Sequence, residues 1–363
     1  MTRVPLPDFP WDSLAEQTAR ARAHPDGIVD LSVGTPVDPV PESIRAALAS
    51  AAHLPGYPAT HGTPELREVA VEALRRRHGV AGLDPAAVLP TIGSKELVAW
   101  LPRLLGLGPG DTVAIPDLAY PTYEVGALLA GAAVRRVDGR TALGPERPAL
   151  LWLNSPANPT GRVLGAAHLR KVVDWARERG TVVVSDECYL ALGWETEPLS
   201  VLHPEVHGGR LDGLLAVHSL SKSANLAGYR AGFVTGDPAL VAELLAVRKH
   251  AGMIVPRPVQ QAMVAALADD AALAAQRERY AARRVVLRPA LERAGFRIDH
   301  SEAGLYLWAT LGEPAATTVD RLARRGILTA PGSFYGPRGG EHVRVALTAT
   351  DERVEAAAHR LTA

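Results

Sequence analysis

The sequence is short of cysteine, and this limits where the protein is expected to work. Cys188 is the only cysteine, so the chain cannot form an internal disulfide. Its first residues carry prolines and acids in place of the charged start and apolar run of a secretion signal. The uncharged apolar run over 125–134 is about half of the roughly 20 residues that a membrane-spanning helix needs. We therefore expect a cytoplasmic protein without a membrane span.

The sequence also lacks an excess of charge of either sign. Its 363 residues include 39 basic and 39 acidic side chains, which gives a formal net charge of +0. A neutral chain has no overall electrostatic attraction for nucleic acid or for an anionic membrane. Neither is predicted as a partner, and small molecules are the expected ligands.

Lysine is rare as well. Four of the 39 basic residues are lysines, and they stand at 95, 171, 222 and 249. A lysine amine can attack an aldehyde once it is neutral, whereas the guanidinium of arginine stays protonated. Any amine chemistry therefore has few candidate side chains, and their places in the fold decide among them.

What the sequence does contain is a series of short aliphatic runs separated by helix-length amphipathic stretches. The runs cover 112–115, 149–154, 181–185, 214–219 and 232–235. Near-continuous apolarity is typical of strands covered on both faces, and such connections are typical of crossover helices. The pattern predicts an α/β fold with a parallel sheet, whose ligand crevice lies beyond the carboxyl ends of the strands.

Helices are predicted on both sides of this region. They cover 41–52, 64–78 and 95–105 upstream, and 239–250, 259–294, 319–325 and the residues from 351 downstream. We expect an N-terminal arm over 1–35, a large domain over 36–270 and a small α+β domain over 271–363 that packs with the arm.

A lysine follows the run that ends at Ser219. Lys222 stands between two serines, and Arg230 comes eight residues later. An amine at a strand end faces the predicted crevice, where desolvation or a nearby cation lowers its pKa. Lys222 is therefore the main candidate for amine chemistry, and a solvated surface charge is the alternative.

Other strand ends carry polar or aromatic residues. Asp186 is either a helix cap or a buried carboxylate that needs a cation. Asn158 lies in a turn over 154–161 whose two prolines hold its amide in one place. The loop of Gly93, Ser94 and Lys95 opens a predicted helix, and free N–H groups at a helix start bind anions. Tyr120 offers a face for stacking, or packs in the core.

In this order, the residues resemble those of one family. The matching residues are the Gly93–Ser94–Lys95 loop, Tyr120, Asn158, Asp186, Tyr189, Ser219, Lys222 and Arg230. They are similar in order and approximate spacing to the fold-type I, class I/II pyridoxal-phosphate aminotransferases, over about 34–344. The resemblance implies the aspartate aminotransferase-like fold, with a mixed, mostly parallel sheet in the large domain, and pyridoxal 5′-phosphate as the cofactor.

The resemblance also implies a role for each residue. Lys222 would bond to the cofactor aldehyde and, once displaced by substrate, shuttle a proton between the substrate Cα and C4′ of the cofactor. Asp186 would pair with the ring nitrogen, and Asn158 and Tyr189 would hydrogen-bond the ring oxygen. Lys222, Asp186 and Tyr189 are thus the expected catalytic residues. Tyr120 would stack on the ring, with Leu118 or Tyr123 as alternatives because the spacing here is longer than in the commoner motif. The phosphate would be held by the backbone amides of Ser94 and Lys95, the hydroxyls of Ser219 and Ser221, and the guanidinium of Arg230.

Substrate and partner contacts follow from the same resemblance. Gly34, Asn158 and Arg344 would bind the substrate α-carboxylate. Tyr57 would reach the cofactor phosphate of a second copy, which implies a homodimer with active sites at its interface. Arg257 is either a reader of a distal substrate carboxylate or a surface charge. No metal site is expected, because no cysteine or carboxylate cluster accompanies His203 and His207.

The implied activity is a ping-pong transfer of an amino group between an amino acid, with glutamate expected, and a 2-oxo acid. Within the class, the sequence most resembles the actinobacterial N-succinyldiaminopimelate aminotransferases of lysine and diaminopimelate biosynthesis. The alternatives are an aminotransferase of the aspartate, aromatic or LL-diaminopimelate type, or a pyridoxal-phosphate-dependent carbon–sulfur β-lyase. A transcription regulator with an aminotransferase-like domain is disfavoured by the neutral charge.

Overall fold

A computed structural model describes residues 6–138 and 144–362, and thus all of the predicted arm except residues 1–5. The strands are β1 (Val29–Asp30), β2 (Val88–Ile92), β3 (Thr112–Pro116), β4 (Ala133–Val137), β5 (Leu150–Asn154), β6 (Val182–Asp186), β7 (Leu214–Ser219), β8 (Ala231–Gly236), β9 (Arg297–Asp299), β10 (Tyr306–Thr310), β11 (Ile327–Leu328), β12 (Ala330–Pro331) and β13 (His342–Ala346).

The helices alternate with these strands over much of the chain. They are α1 (Ala15–Arg22), α2 (Glu42–Ser50), α3 (Pro64–His78), α4 (Gly93–Leu104), α5 (Thr122–Ala130), α6 (Ala166–Arg177), α7 (Pro204–His207), α8 (Pro238–Ala251), α9 (Arg257–Ala268), α10 (Asp270–Arg293), α11 (Ala315–Arg324) and α12 (Asp351–Thr362). None of the helices in the described part of the chain has both the length and the apolar character that crossing a membrane requires.

The largest sheet has the strand order β2-β8-β7-β6-β5-β3-β4 among the described residues. Strands β3 to β7 pair in parallel, whereas β8 runs antiparallel to both β7 and β2. The expected mixed, mostly parallel sheet is confirmed. The purely parallel reading of the run over 232–235 is wrong, because the connection over 220–230 contains no helix and an antiparallel return needs no crossover.

This topology brings five chain segments to one edge of the sheet. The carboxyl ends of β5, β6 and β7 meet there because these strands are parallel. The start of β8 lies at the same edge, since Gly232 pairs with Ser219. The end of β2 follows, since Ile92 pairs with Ala231. Asn154, Asp186 and Ser219 therefore come close to Arg230 and to the first turn of α4.

Both faces of this sheet are covered. One face packs apolar side chains against α3, α6 and α9, and the other packs them against α4, α5 and α8. Neighbouring residues of one strand contribute to opposite cores, as Val183 and Val184 of β6 do, because side chains alternate along a strand. Continuous apolar runs therefore mark the central strands.

The remaining strands tie the two ends of the chain together. An antiparallel sheet has the order β12-β13-β10-β9, and β1 pairs in parallel with β11. Ala346 at the end of β13 donates its backbone N–H to the Leu31 carbonyl at 2.9 Å. The segment after β1 is thereby fixed beside the strand that carries Arg344.

Several predicted element boundaries differ from those observed. The predicted helix over 259–294 is two helices, because Asp269 leaves the helical conformation and caps α10 by accepting the Ala272 N–H at 2.8 Å. Strand β2 was not predicted, since Pro90 interrupts its pattern. Strand β4 was not predicted either, because Arg135 and Arg136 occupy its middle, as suits an edge strand.

We predict that Glu96→Gln destabilises the fold by about 2–4 kcal/mol, because it leaves a buried guanidinium without its counterion. Arg248 of α8 is 0 % exposed and donates to both Glu96 oxygens, at 2.9 and 3.2 Å, which anchors the first turn of α4. Thermal unfolding measures the loss. The exposed Glu68 provides a matched control, since Glu68→Gln should change stability by less than about 0.5 kcal/mol. Equal effects of the two substitutions would contradict the role of the ion pair.

Candidate active site

The lysine singled out in the sequence lies at the edge where the strand ends meet. Lys222 follows β7 by three residues, and its Nζ donates a hydrogen bond to the Gly34 carbonyl. The Tyr280 hydroxyl holds the Lys222 backbone carbonyl at 3.1 Å. Burial lowers the pKa of the amine, and the charges of Arg344 and Arg230 act in the same direction. The amine is thus fixed in place and has a reduced affinity for its proton.

A buried carboxylate ends the neighbouring strand. Asp186 accepts hydrogen bonds from the Tyr123 hydroxyl at 2.7 Å and from the Cys188 backbone N–H at 3.2 Å. Burial raises its pKa, and these donors together with the Cys188 thiol oppose that shift. All the donors that the described residues supply to Asp186 are neutral. A carboxylate in this position is stabilised further by any cation that enters the site.

Arg344 of β13 contacts the same short segment that Lys222 contacts. Its Nη1 donates to Asn158 Oδ1 at 2.9 Å, and its Nη2 donates to the Ser32 carbonyl at 2.7 Å. The guanidinium carbon is 3.9 Å from the centre of the Tyr306 ring. Nε has no hydrogen-bond partner among the described residues. Hydrogen bonds from Nη1 and Nη2 therefore fix the orientation of the guanidinium, and its Nε–H remains available as a donor.

Asn154 connects the asparagine turn to the sheet. Its Nδ2 donates to the Asp186 carbonyl at 2.9 Å, and its Oδ1 accepts the Asn158 N–H at 2.7 Å. A continuous path of hydrogen bonds thus runs from Asp186 through Asn154 and Asn158 to Arg344. The sequence argument placed Asn158 correctly beside these groups but assigned no function to Asn154.

The residues expected at a phosphate surround the start of α4. Arg230 has φ 58 and donates to the Ala227 carbonyl at 2.7 Å. A Cβ at Gly93 would lie 2.4 Å from Arg230 Nη2, so the guanidinium requires glycine there. The Ser219 hydroxyl accepts the Ser221 N–H at 3.2 Å. Hydroxyls, a guanidinium and free helix N–H groups therefore converge, which suits a multiply charged anion.

Two further residues are expected at a phosphate, Lys95 through its backbone N–H and Tyr57 through its hydroxyl toward a second copy of the chain. The Lys95 side chain is exposed, with its Nζ 5.5 Å from the centre of the Phe9 ring, so only its backbone N–H lies in the first turn of α4. The Tyr57 side chain is 100 % exposed, so it makes no contribution to the buried cluster of its own chain.

Four tyrosines of the site form two pairs: Tyr120 packs against Tyr123, and Tyr189 packs against Tyr306. Tyr123, considered in the sequence only as a ring-stacking alternative, instead holds Asp186 and stacks on Trp152 at 4.7 Å. Tyr120 lies edge-on to Tyr123 at 5.8 Å, and burial raises its pKa to about 12. The Tyr189 and Tyr306 hydroxyls lie 3.0 Å apart.

Sequence reasoning missed Tyr306, Tyr335 and Trp11. The ring centres of Tyr335 and Trp11 lie 5.0 and 5.8 Å from the guanidinium carbon of Arg344. Tyr306 stands in an apolar strand pattern, where a tyrosine is ordinarily a core residue, and Trp11 precedes every predicted element. Only Tyr306 carries a usable signal in the sequence: a tyrosine in a buried strand needs a hydrogen-bond partner for its hydroxyl.

Comparison with known proteins identifies the family. The model of the family "Aminotransferase class I and II" matches residues 26–361. The chain is 70% identical over 357 residues to "Probable aminotransferase Rv1178" of Mycobacterium tuberculosis, covering 98% of this chain and 85% of that protein. It is 62% identical over 357 residues to "4-dedimethylamino-4-oxo-anhydrotetracycline transaminase OxyQ" of Streptomyces rimosus, covering 98% of this chain and 99% of that protein.

A solved structure supports the same conclusion. The N-succinyldiaminopimelate aminotransferase of Mycobacterium tuberculosis superposes with a TM-score of 0.85 at 29% identity, covering 96% of each chain. The expected fold type, enzyme class and pyridoxal phosphate cofactor are confirmed. This chain belongs to the class I and II aminotransferases, enzymes that act on amino acids and oxo acids with pyridoxal phosphate.

Proposed function

We propose that the chain transfers an amino group from glutamate to a 2-oxo acid, with Lys222 as the acid–base catalyst and Arg344 as the carboxylate anchor. One observation carries this assignment: both cations bind carbonyls of one short segment, Lys222 that of Gly34 and Arg344 that of Ser32. In an amino acid, the carboxylate and the Cα hydrogen are attached to the same carbon. A substrate whose carboxylate reaches Arg344 therefore presents its Cα hydrogen toward Lys222.

The site fits pyridoxal phosphate on an observation independent of the family. Asp186 is a buried carboxylate whose donors among the described residues are neutral, and a protonated ring nitrogen would supply the cation that it lacks. When bound, the cofactor supplies an electron-withdrawing ring that stabilises the negative charge left on the substrate carbon. The residues that would hold it are Asp186 at the ring nitrogen, Asn158 and Tyr189 at the ring oxygen, Tyr120 at the ring face, Lys222 at the aldehyde, and Ser94, Lys95, Ser219, Ser221 and Arg230 at the phosphate.

Lys222 performs the proton transfer. Because burial lowers its pKa, a larger fraction of the amine is neutral near pH 7 than in a solvated lysine. A neutral Nζ can take the proton from the substrate Cα, and the ammonium that results would deliver it to the cofactor carbon C4′, as amino transfer requires. The Gly34 carbonyl holds Nζ in position and accepts its hydrogen bond in both protonation states.

Arg344 binds the substrate carboxylate in a sheltered position. Arg344 is 3 % exposed, and its guanidinium lies against the rings of Tyr306 and Tyr335. These rings exclude water, so a guanidinium–carboxylate pair formed here is screened less than one on the surface. Planar, bidentate contact also fixes the orientation of the carboxylate, and with it that of the Cα hydrogen.

A row of aromatic contacts leads outward from Arg344. Trp11 lies beside the guanidinium, Phe9 is 5.6 Å from Trp11 between ring centres, and Lys95 Nζ is 5.5 Å from the Phe9 ring. A long substrate with its α-carboxylate at Arg344 can pack along these rings and place a distal carboxylate near the exposed Lys95. N-Succinyldiaminopimelate has this shape and charge. The structural likeness to an enzyme of that name supports the same choice, with a role in lysine and diaminopimelate biosynthesis.

A second acceptor class is favoured by the 62% identity to OxyQ, whose name specifies an oxo-anhydrotetracycline. Such a ketone sits on a flat polycyclic skeleton, which can also stack on Trp11 and Phe9. The two classes differ in charge, because only the succinylated acid carries a separate distal carboxylate for Lys95.

We further propose a homodimer with its active sites at the interface. Tyr57 is 100 % exposed, and two further large apolar residues of the N-terminal part of the chain, Val37 and Leu54, are exposed as well. Exposed apolar residues that lie together mark interaction surfaces. A second copy would cover these residues and bring the Tyr57 hydroxyl to the phosphate site of its partner.

Replacement of Lys222 tests the catalytic assignment. We expect Lys222→Ala to reduce the transamination rate by about 100- to 10,000-fold, the usual contribution of a positioned acid–base group. Steady-state kinetics and the visible absorbance of the loaded enzyme measure the effect. Lys249→Ala alters an exposed lysine of α8 and should leave both unchanged. Near-parental turnover of Lys222→Ala would exclude the proposed role.

Replacement of Arg344 tests the anchor. Arg344→Lys keeps the charge but loses the bidentate geometry, so we expect KM for the amino donor to rise by about 10- to 100-fold. Arg257→Ala, at an exposed position, should change KM by less than about twofold if Arg257 is a surface charge. A rise in KM restricted to dicarboxylic substrates would instead assign Arg257 to the distal carboxylate. An unchanged KM in Arg344→Lys would place the α-carboxylate elsewhere.

A substrate panel tests the acceptor. We expect kcat/KM for N-succinyldiaminopimelate with 2-oxoglutarate to exceed that for aspartate, phenylalanine and LL-diaminopimelate by at least about tenfold. Lys95→Gln should raise KM for the succinylated substrate alone. Preference for an aminated anhydrotetracycline, unaffected by Lys95→Gln, would select the second class. Pyruvate and ammonia released from cystathionine without an oxo acid would indicate the β-lyase reaction.

A further inference from the structure

A small cavity lies behind the strand ends that carry Asp186 and Ser219. Its volume is about 50 Å³, and its lining includes His78, Glu187, His218 and Ser219. Glu187 directly follows Asp186, and His218 directly precedes Ser219. Their backbones are joined as well, because the Glu187 N–H donates to the Val217 carbonyl at 2.9 Å. The cavity is thus lined by the residues next to Asp186 and by Ser219 itself.

Three polar atoms of the lining residues are incompletely satisfied. Glu187 Oε2, His218 Nε2 and His78 Nδ1 are buried and have no hydrogen-bond partner among the described residues. Glu187 Oε2 and His218 Nε2 are 3.8 Å apart, which is too long for a hydrogen bond. Native structures rarely leave such atoms without a protein or water partner.

The two side chains are not free to close this gap. Glu187 is 2 % exposed, and its Oε1 accepts the Val201 N–H at 2.7 Å. The His218 ring stacks on Phe233 with 4.8 Å between ring centres. Each group is therefore held by its other contacts, and the unsatisfied atoms must be served by something that enters the cavity.

The electrostatics favour a neutral polar occupant. Burial lowers the pKa of His218 to about 3 and that of His78 to about 4, so both rings are uncharged and each has one donor and one acceptor nitrogen. Burial raises the pKa of Glu187 to about 7. Arg77, the nearest cation of α3, is occupied by Asp270 and by backbone carbonyls.

Water is the molecule that fits these requirements. A buried water needs two to four polar partners and a cavity of at least about 10–15 Å³, and this cavity is larger. We propose that Glu187, His218 and His78 form, together with water in the cavity, a buried polar cluster that positions the strand ends bearing Asp186 and Ser219. The proposal rests on the proposed function, which assigns those two residues to the cofactor.

The members of this cluster are positioning residues, since they act on the cofactor through their neighbours. Glu187 links the end of β6 to the segment at Val201, and water links Glu187 to His218 on β7. Loss of the link lets the carboxylate of Asp186 and the hydroxyl of Ser219 move independently. Asp186 and Ser219 would bind opposite ends of the rigid cofactor, so the loss of a fixed distance between them weakens cofactor binding.

A high-resolution crystal structure of the loaded enzyme tests the hydration. We expect at least one ordered water within about 2.7–3.2 Å of two of the three atoms. A cavity without water density, or a direct hydrogen bond between Glu187 and His218 that closes it, would overturn the proposal.

Variants of His218 test the positioning, with the dissociation constant of pyridoxal phosphate measured by spectrophotometric titration. His218→Phe keeps the stacking on Phe233 and removes the ring nitrogens, so we expect binding to weaken by about tenfold or more. His218→Gln restores a polar group near the Nε2 position and should bind within about threefold of the parent. Equal loss in both variants would indicate a packing effect and contradict the proposal.

His207 offers a matched control. It is 6 % exposed and its Nε2 also has no partner among the described residues, but it lies on α7 outside the cluster. His207→Phe should leave cofactor binding unchanged.

Ser219→Ala and Asp186→Asn separate the proposed function from the proposed cluster. Parental cofactor binding in both variants would refute the proposed function. Weak binding in both, together with parental binding in His218→Phe, would refute only the cluster.

Discussion

The site depends on one short piece of backbone, residues 32–34, that accepts hydrogen bonds from two cations. Gly34 can lie there only because it has no side chain: a Cβ would be 2.1 Å from the Tyr306 hydroxyl. The segment is fixed to the strand beside it by the Leu31 carbonyl and by the Thr348 hydroxyl, which donates to the Val33 carbonyl at 3.0 Å. Lys222 and Arg344 come from different sheets, and this segment sets the distance between them.

The antiparallel strand β8 arranges the charges around that segment. If β8 had continued the parallel order, Arg230 would lie at the opposite edge of the sheet from Ser219. Instead a carboxylate, Asp186, lies at one end of the site, and a guanidinium with hydroxyls and N–H groups lies at the other. This distribution is complementary to a molecule with a cationic ring nitrogen and an anionic phosphate, because each charge meets its opposite in a partly buried place.

Sequence patterns predicted those features that depend on local chemistry. Continuous apolar runs revealed the central strands, and four of the predicted helices, α2, α3, α4 and α8, begin and end within two residues of the observed bounds. Lys222, Asp186 and Asn158 were found because each follows such a run. Features that depend on distant contacts were missed: the direction of β8, the hydrogen bond of Tyr123 to Asp186, and the packing of Trp11 on Arg344. Nothing in the residues beside Trp11 encodes a partner on β13.

The same distinction between local and distant contacts explains why the residues of the chain specify the reaction class more closely than the substrate. The residues that we propose to act on atoms shared by every amino acid lie in strands or directly after them, where a change disturbs a sheet and the core packed on it. The groups that we propose beside the variable part of a substrate are Phe9, Trp11 and Lys95, and Phe334 lies 5.3 Å from Trp11 between ring centres. Three of these four belong to the N-terminal segment or the short 3₁₀ turn over Gly332–Tyr335, and Lys95 is exposed. Such positions can change without cost to the sheet, so relatives of high identity can share the chemistry and differ in what they aminate.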